Sequence, residues 1–175
     1  MDRAIKTLTE MVSQRGYNIT EQDDEKFIGL NKEGNALIVF LVPVCKFSVD
    51  RFKEYVGKVD VLNGKLSRRY YNHCIIVYTD SITPMGKKLV AESDDINVEL
   101  FFIDELQYNI TKHRLVPVHS RLNDTESKKF KKEFGLKHPS ILTSDPIAKF
   151  YNYKRGDVIK IIRPCGFITH RIVKG

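Results

Sequence analysis

Five histidines and three cysteines are the side chains of this chain best suited to ligate a transition metal. Their spacing matches no common zinc pattern, because no CxxC, HxxH or HExxH occurs. His113 and His119 are six residues apart across a proline, and we interpret both as surface or hydrogen-bonded side chains. The nucleophile elbow GxSxG and the phosphate-binding loop GxxxxGKS/T are also absent. We therefore expect no metal, no cofactor and no catalytic residue.

A metal-dependent nuclease is the enzyme class suggested by an α/β domain joined to a basic one. Nucleases of the restriction type need an aspartate at one strand end and a Glu-x-Lys pair on the next strand, to hold the metal and polarise water. The predicted strand Ile38–Val42 contains neither a carboxylate nor a lysine, and Glu33 and Lys46 flank it at opposite ends. The nuclease stays an alternative that metal-dependent strand cleavage would revive.

Charge is distributed unevenly along the 175 residues. Residues 1–110 carry 14 Lys+Arg and 17 Asp+Glu, a net charge of −3, whereas residues 111–175 carry 15 and 5, a net charge of +10. A basic segment of this strength favours an anionic partner, either nucleic acid or an acidic protein surface. Its densest run is Lys128, Lys129, Lys131 and Lys132, for which a solvated helix face is the simpler interpretation. A free-standing nucleic-acid-binding protein is therefore a second alternative.

Residues 1–110 are predicted to form an α/β layer domain, because helical and strand-like segments alternate. The apolar run Ala36–Val44 is typical of a strand in a sheet covered on both faces. We expect Glu21–Lys26 to be an acidic loop and Asn63–Gly64 to be a turn. Further strands are expected at residues 27–30, 74–78 and 98–103, and helices near residues 4–12, after Ser48 and from Thr83-Pro84.

Lys87 and Lys88 follow that last helix start closely. A cation near the N-terminus of a helix is unfavourable by about 0.3–1 kcal/mol when exposed. The placement suggests selection for a group outside the helix, such as phosphate, although two exposed lysines can also simply cost little.

Residues 111–175 are predicted to form a small α+β module. Asn123 or Asp124 caps a helix that ends at Gly135, and Asp145-Pro146 begins another helix. Lys154–Asp157 is a turn before the strand Val158–Ile162, and residues 167–173 form the returning strand. The fold class is thus α+β, with two domains at residues 1–110 and 111–175.

Three motifs of the second block occur in a recognisable order: Leu115–His119, Ser144–Tyr151 and Lys154–Pro164. This series closely resembles the assembly domain of the fifth subunit shared by eukaryotic RNA polymerases I, II and III, a domain that forms a small separate subunit in archaeal RNA polymerases. In the first block, Met11–Tyr17 and Ile82–Val90 resemble parts of the jaw domain of that family more weakly. The resemblance implies a nuclease-like jaw without an active site, followed by an assembly domain.

The resemblance also implies the partners and the residues that meet them. The family's jaw lies beside downstream duplex DNA, which makes Thr83, Pro84, Lys87 and Lys88 the DNA-proximal candidates. The assembly domain docks on the largest polymerase subunit, and the interface candidates are Asp145, Pro146, Arg155, Gly156, Arg163 and Arg171. The arginines are the better candidates, because a guanidinium holds carboxylates in a bidentate fork. Asp145, Pro146 and Gly156 also fit purely local roles in a helix start and a turn.

The chain departs from the family pattern in ways that bear on its origin. Its jaw is shorter than in cellular members, and only Cys165-Gly166 separates Pro164 from the aromatic residue that starts the final predicted strand. These trims suggest a divergent member, such as one encoded by a large DNA virus with its own polymerase. The expected function is that of a non-catalytic polymerase subunit. Its expected location is the nucleus if the chain is cellular, and the virion or the host nucleus or cytoplasm if it is viral.

Overall fold

A computed structural model describes residues 2–65, 71–93, 95–135 and 137–175. The chain divides into two compact units, Met1–Tyr108 and Asn109–Gly175. In the described ranges the fold is mixed α+β, with two sheets and five α-helices. None of the helices in these ranges combines the length and the apolar character needed to cross a membrane.

In its described residues, the first unit contains a five-stranded sheet, three α-helices and a short 3-10 helix at Ile103–Leu106. Its strands lie in the order β1-β2-β3-β4-β5; the β1-β2 and β2-β3 pairs are antiparallel, and the β3-β4 and β4-β5 pairs are parallel. The elements are α1 (Asp2–Gln14), β1 (Asn18–Gln22), β2 (Lys26–Leu30), β3 (Ala36–Phe47), α2 (Val49–Lys65), β4 (Tyr71–Ile82), α3 (Pro84–Glu92) and β5 (Asn97–Phe102).

Strand β3 lies at the centre of this sheet and is buried on both faces over residues 36–41, as its apolar run predicts. On one face, Tyr55 and Val59 of α2 pack into a cluster with apolar side chains of β3 and β4. On the other face, Val12 of α1 lies against β2, where a Cβ added at Gly29 would be 3.0 Å from Val12 Cγ1. The prediction of a sheet covered on both faces is therefore confirmed.

Two local predictions for the first unit are wrong. Asn63 and Gly64 do not form a turn but lie in α2, which continues to Lys65. The Asn63 amide has a tertiary role there, because its Oδ1 accepts from the Tyr71 backbone N–H at 2.6 Å and its Nδ2 donates to the Tyr71 carbonyl at 3.0 Å. The acidic loop is shorter than predicted, because Glu21 belongs to β1. This strand lies at the exposed edge of the sheet, where polar side chains can remain in solvent, so its sequence lacks the apolar residues typical of a strand.

The second unit contains a four-stranded sheet and two α-helices in its described residues. The strand order is β6-β8-β9-β7, with the β7-β9 pair parallel and the other pairs antiparallel. The elements are β6 (Val118–Arg121), α4 (Asp124–Phe134), β7 (Ser140–Leu142), α5 (Pro146–Phe150), β8 (Val158–Ile162) and β9 (Ile168–Lys174). The cap of α4 is Asn123, one of the two predicted residues, and Gly135 follows its last turn with φ +73°.

The helices of the second unit cover opposite faces of its sheet. Ala148 of α5 packs with Ile159, Ile161 and Val173 in one cluster. On the other face, the core contact of α4 is Phe130, which packs on Val158 and Ile172. Because side chains alternate along a strand, Val158 and Ile159 point to different sides of β8 and serve the two clusters separately.

Candidate functional site

The start of α3 is bound to the end of β3 by backbone and side-chain hydrogen bonds. Thr83 is the N-cap, and its Oγ1 accepts from the Gly86 N–H at 3.1 Å. The Thr83 N–H donates to the Phe47 carbonyl at 2.9 Å, and Pro84 occupies the first helical turn with its ring exposed. These contacts hold the turn in place, and they confirm the helix start predicted at Thr83 and Pro84.

Lys87 and Lys88 are both exposed in the first half of α3. The Lys88 ammonium lies 3.8 Å from the Glu92 carboxylate, four residues further along the helix, with both side chains largely in solvent. An exposed pair of this kind contributes at most about 1 kcal/mol, so it leaves Lys88 free to exchange partners. One short stretch of the surface thus contains all four DNA-proximal candidates, Thr83, Pro84, Lys87 and Lys88.

The start of α5 is organised in the same way as the start of α3. Asp145 Oδ1 accepts from the Ile147 N–H at 2.8 Å, and the Asp145 carbonyl accepts from the Lys149 N–H at 2.8 Å. Pro146 follows in the first helical turn and is exposed. The carboxylate of Asp145 therefore already has a local partner, which is the structural role that the sequence allows for it.

The turn at residues 154–157 precedes β8 and is hydrogen-bonded to β9 and α4. Gly156 has φ +92°, a conformation that favours glycine, and its N–H donates to the Val173 carbonyl of β9 at 2.9 Å. The Gly156 carbonyl accepts from Lys131 Nζ of α4 at 2.6 Å. Arg155 precedes it in the turn and is exposed. Gly156 thus shapes the turn, and Arg155 is the member of the pair available to a partner.

The remaining two arginines lie elsewhere on the sheet. Arg163 follows β8 and is exposed, whereas Arg155 precedes β8, so the strand separates them by roughly 17 Å at 3.3 Å per residue. Arg171, in β9, donates from a guanidinium nitrogen to the Ser140 carbonyl of β7 at 3.2 Å. The six interface candidates therefore do not converge on one small site, because the sheet distributes them over both ends of its strands.

His119 is within electrostatic range of two of these candidates, Asp145 and Arg171. It is half-buried in β6, and its Nδ1 is 2.8 Å from the Pro117 carbonyl. Burial lowers the pKa of His119, while the hydrogen bond to Pro117 and the charge of Asp145 raise it and the charge of Arg171 lowers it further. His113 accepts at Nδ1 from the Leu115 N–H at 3.3 Å. The interpretation of both histidines as hydrogen-bonded side chains is confirmed.

One charged cluster of the first unit is absent from the predictions made on sequence. The Glu99 carboxylate of β5 is in contact with the Arg15 guanidinium and with His73 Nε2 of β4. All three side chains are largely buried. The sequence does contain a feature that could have indicated this cluster. Glu99 is the one charged residue within the apolar segment Val98–Ile103, and a buried carboxylate needs a partner.

Within the ranges that the structure describes, no three histidine, cysteine or acidic side chains are grouped closely enough to hold a metal ion. The predicted site residues instead provide exposed cations on well-anchored turns and strand ends. Such an arrangement can bind anionic or acidic surfaces.

Comparison with known proteins identifies relatives over nearly the whole chain. Residues 108–173 match the family model "RNA polymerase Rpb5, C-terminal domain". The chain is 34% identical over 95% of its length to "DNA-directed RNA polymerases I, II, and III subunit rpabc1" of Dictyostelium discoideum, and the match covers 93% of that protein. It is 32% identical over 94% of its length to "Putative DNA-directed RNA polymerase subunit 454R" of Invertebrate iridescent virus 6, with 95% of that protein covered.

A solved structure gives a much weaker similarity. The crystal structure of a repair endonuclease from Pyrococcus abyssi aligns with a TM-score of 0.40 and 16% identity, over 57% of this chain and 45% of that one.

Proposed function

The chain belongs to the family of the subunit shared by DNA-directed RNA polymerases I, II and III, and from this premise we propose that it is a non-catalytic subunit of a multisubunit DNA-dependent RNA polymerase. The observation that carries the proposal is sequence identity extending over nearly all of this chain and of a polymerase subunit. Nucleotide addition would then belong to the large subunits. The chain would act where that polymerase acts, in the nucleus for a cellular enzyme or in the virion, nucleus or cytoplasm for a viral one.

We assign the first unit to the jaw and the second unit to the assembly domain of this family. In the jaw, the start of α3 would face downstream duplex DNA. Supporting this, Lys87 and Lys88 are exposed beside a turn that Thr83 ties to β3. A contact made by two lysines is independent of sequence and weak alone, because few phosphates are neutralised and salt competes for them.

The second unit would dock on the largest subunit of the polymerase. The candidates best placed to contact a partner are Arg155 and Arg163, since both are exposed. Asp145, Pro146 and Gly156 would support the docking surface by shaping a helix start and a turn, and Arg171 by joining β9 to β7. Because Arg155 and Arg163 lie at opposite ends of β8, the surface must extend along the length of that strand.

A co-purification experiment tests the proposal. The tagged chain is expressed in cells that contain its polymerase, as the wild type, as an Arg155→Glu/Arg163→Glu variant, and as a Lys6→Glu/Lys32→Glu control with the same charge change on exposed residues of the first unit. We expect stoichiometric large polymerase subunits with the wild type and the control, and their loss with the arginine variant, whose folding circular dichroism verifies. If the large polymerase subunits co-purify with all three proteins, the choice of Arg155 and Arg163 as interface residues is refuted, but the proposed function is not. Absence of polymerase subunits from the wild type would refute the proposed function.

A further inference from the structure

Three exposed lysines occupy one side of α4: Lys128, Lys129 and Lys132, which we call the α4 lysine face. At 3.6 residues per turn, these positions fall within an arc of about 100°. Phe130 is on the opposite side of the helix and is 9% exposed. The helix therefore separates a basic solvent-facing side from an aromatic core-facing side.

The core-facing side is what holds α4 on the sheet. Phe130 packs on Val158 and Ile172, and its ring centroid lies 4.7 Å from that of His170. Lys131, also on this side, donates from Nζ to the Gly156 carbonyl at 2.6 Å. The hydrogen bond to Gly156 thus explains why a lysine is present at position 131. In the described residues, no comparable hydrogen bond explains the lysines of the α4 lysine face.

The positive charges of the α4 lysine face are only partly offset by the acidic residues of the same helix. In the part of the chain that the structure describes, none of its three ammonium groups forms an ion pair. Lys128 and Lys132 are four residues apart, a spacing at which like charges destabilise a helix, and Asp124 and Glu133, four residues from Lys128 and Lys129, offset part of this repulsion. The helix dipole favours Lys132 in the last turn but offers little to Lys128 and Lys129. An external anion would relieve this repulsion.

We propose that the α4 lysine face binds the phosphate backbone of duplex DNA. Protein–protein interfaces are depleted in lysine and enriched in arginine and aromatic residues, and this face contains lysines with no arginine. Single-stranded nucleic acid is bound largely by stacking on aromatic rings. The two aromatic residues of α4, Phe130 and Phe134, contact each other and His138 on the opposite side of the helix, so Phe134, although 55% exposed, lies off the α4 lysine face. A backbone-directed contact with a duplex fits the residues that remain.

This inference goes beyond the proposed function, because it adds a second DNA-contacting surface on the second unit. It uses neither Lys87 nor Lys88 and does not depend on docking to the largest subunit. The two proposals can therefore fail separately.

Fluorescence anisotropy of the purified chain with a labelled duplex tests it. Binding is measured between about 25 and 200 mM NaCl, because the salt dependence counts the phosphates that are neutralised.

The test variant is Lys128→Gln/Lys129→Gln/Lys132→Gln, in which helix propensity is nearly unchanged. The matched control, Lys6→Gln/Lys32→Gln/Lys53→Gln, removes three exposed lysines from the first unit. A Glu133→Gln variant removes the exposed acidic residue beside the face. Labelled poly-glutamate is the second probe.

We expect the α4 variant to bind the duplex at least roughly tenfold more weakly at low salt, with the slope of log K against log salt reduced by about 2–3. The control should retain the wild-type slope to within about one, and Glu133→Gln should tighten binding. Equal losses in the control and the α4 variant, or no binding by the wild type at the lowest salt, would overturn the proposal. A variant that lost affinity for poly-glutamate while keeping its affinity for the duplex would also overturn it, in favour of an acidic protein partner.

Discussion

The Glu99 carboxylate accepts hydrogen bonds from both terminal nitrogens of Arg15, at 2.7 and 2.8 Å, although 84 residues separate them in the chain. The Arg15 side chain is 4% exposed and that of Glu99 is 10% exposed. His73 Nε2 contacts the same carboxylate from β4. Because Arg15 follows α1 directly and Glu99 lies in β5, this cluster joins the end of the first helix to the edge of the sheet.

Removal of one member of this buried pair should be strongly destabilising. We expect Arg15→Met to lower the free energy of unfolding by about 3–5 kcal/mol, because it removes the guanidinium that pairs with the buried Glu99 carboxylate, which then keeps its contact with His73. An Arg15→Met/Glu99→Leu variant should recover much of the loss, since no unpaired charge remains. Urea unfolding followed by far-UV circular dichroism measures both. A double variant as unstable as the single one would contradict this account.

The same cluster predicts a pH dependence of stability. Burial by itself would raise the pKa of Glu99, but the charge of Arg15 and the hydrogen bonds from His73 and Arg15 lower it to about 2. The folded pKa lies below that of the unfolded chain, so the stabilisation is present above pH 4.5 and is lost as the pH falls from about 4.5 towards 2. Its upper bound is about 3 kcal/mol.

Unfolding titrations between those pH values, compared with a Glu99→Gln variant, measure this contribution. The wild type should lose more stability than the variant across the window. Parallel curves for the two proteins would exclude Glu99 as the titrating group.

The helix starts could be predicted from the sequence because their causes are local. Each capping side chain accepts from a backbone N–H two or three residues further along the chain: Thr83 from Gly86, Asn123 from Glu126 and Asp145 from Ile147. Asn63 shows where such reasoning fails. An Asn-Gly pair favours a turn, but the Asn63 amide binds Tyr71 eight residues later, and this contact depends on where β4 begins.

The candidate site residues show the same contrast between local causes, which the sequence reveals, and tertiary contacts, which it does not. The roles of Asp145 and Gly156 in a cap and a turn could be read from their neighbours. The contact of Lys131 with the Gly156 carbonyl could not, because it requires α4 to lie beside the turn at residues 154–157. The separation of Arg155 from Arg163 likewise follows from the extended path of β8 between them.

Two substitutions at Asp145 distinguish its structural role from a role in docking. Asp145→Asn keeps a side-chain oxygen for the Ile147 N–H, and we expect it to change stability by less than about 0.5 kcal/mol and to leave polymerase co-purification intact. Asp145→Ala removes the cap and should cost about 1 kcal/mol. Thermal unfolding and the co-purification assay measure the two effects. Loss of the polymerase with a stable Asp145→Asn variant would instead place the carboxylate in the interface.

Gly86 at the start of α3 and Gly57 in α2 provide a matched pair of glycine substitutions. A Cβ at Gly86 would lie 2.9 Å from Thr83 Oγ1 and 3.4 Å from the Phe47 carbonyl oxygen, whereas a Cβ at Gly57 in α2 would meet no atom within 4 Å. We expect Gly86→Ala to lower the free energy of unfolding by about 1–3 kcal/mol through displacement of the cap, and Gly57→Ala to raise it by about 0.4–1 kcal/mol.

A double-mutant cycle identifies the cap as the cause of the Gly86 effect. Thr83→Ala alone should cost about 1 kcal/mol, because it removes the oxygen that accepts from the Gly86 N–H. It also removes the atom nearest to the new Cβ, so Thr83→Ala/Gly86→Ala should be clearly more stable than the sum of the two single losses implies. Additive losses in urea unfolding would show that Gly86→Ala acts through the Phe47 backbone instead. In that case the position of α3 on the end of β3, rather than its cap, would set the geometry of Lys87 and Lys88.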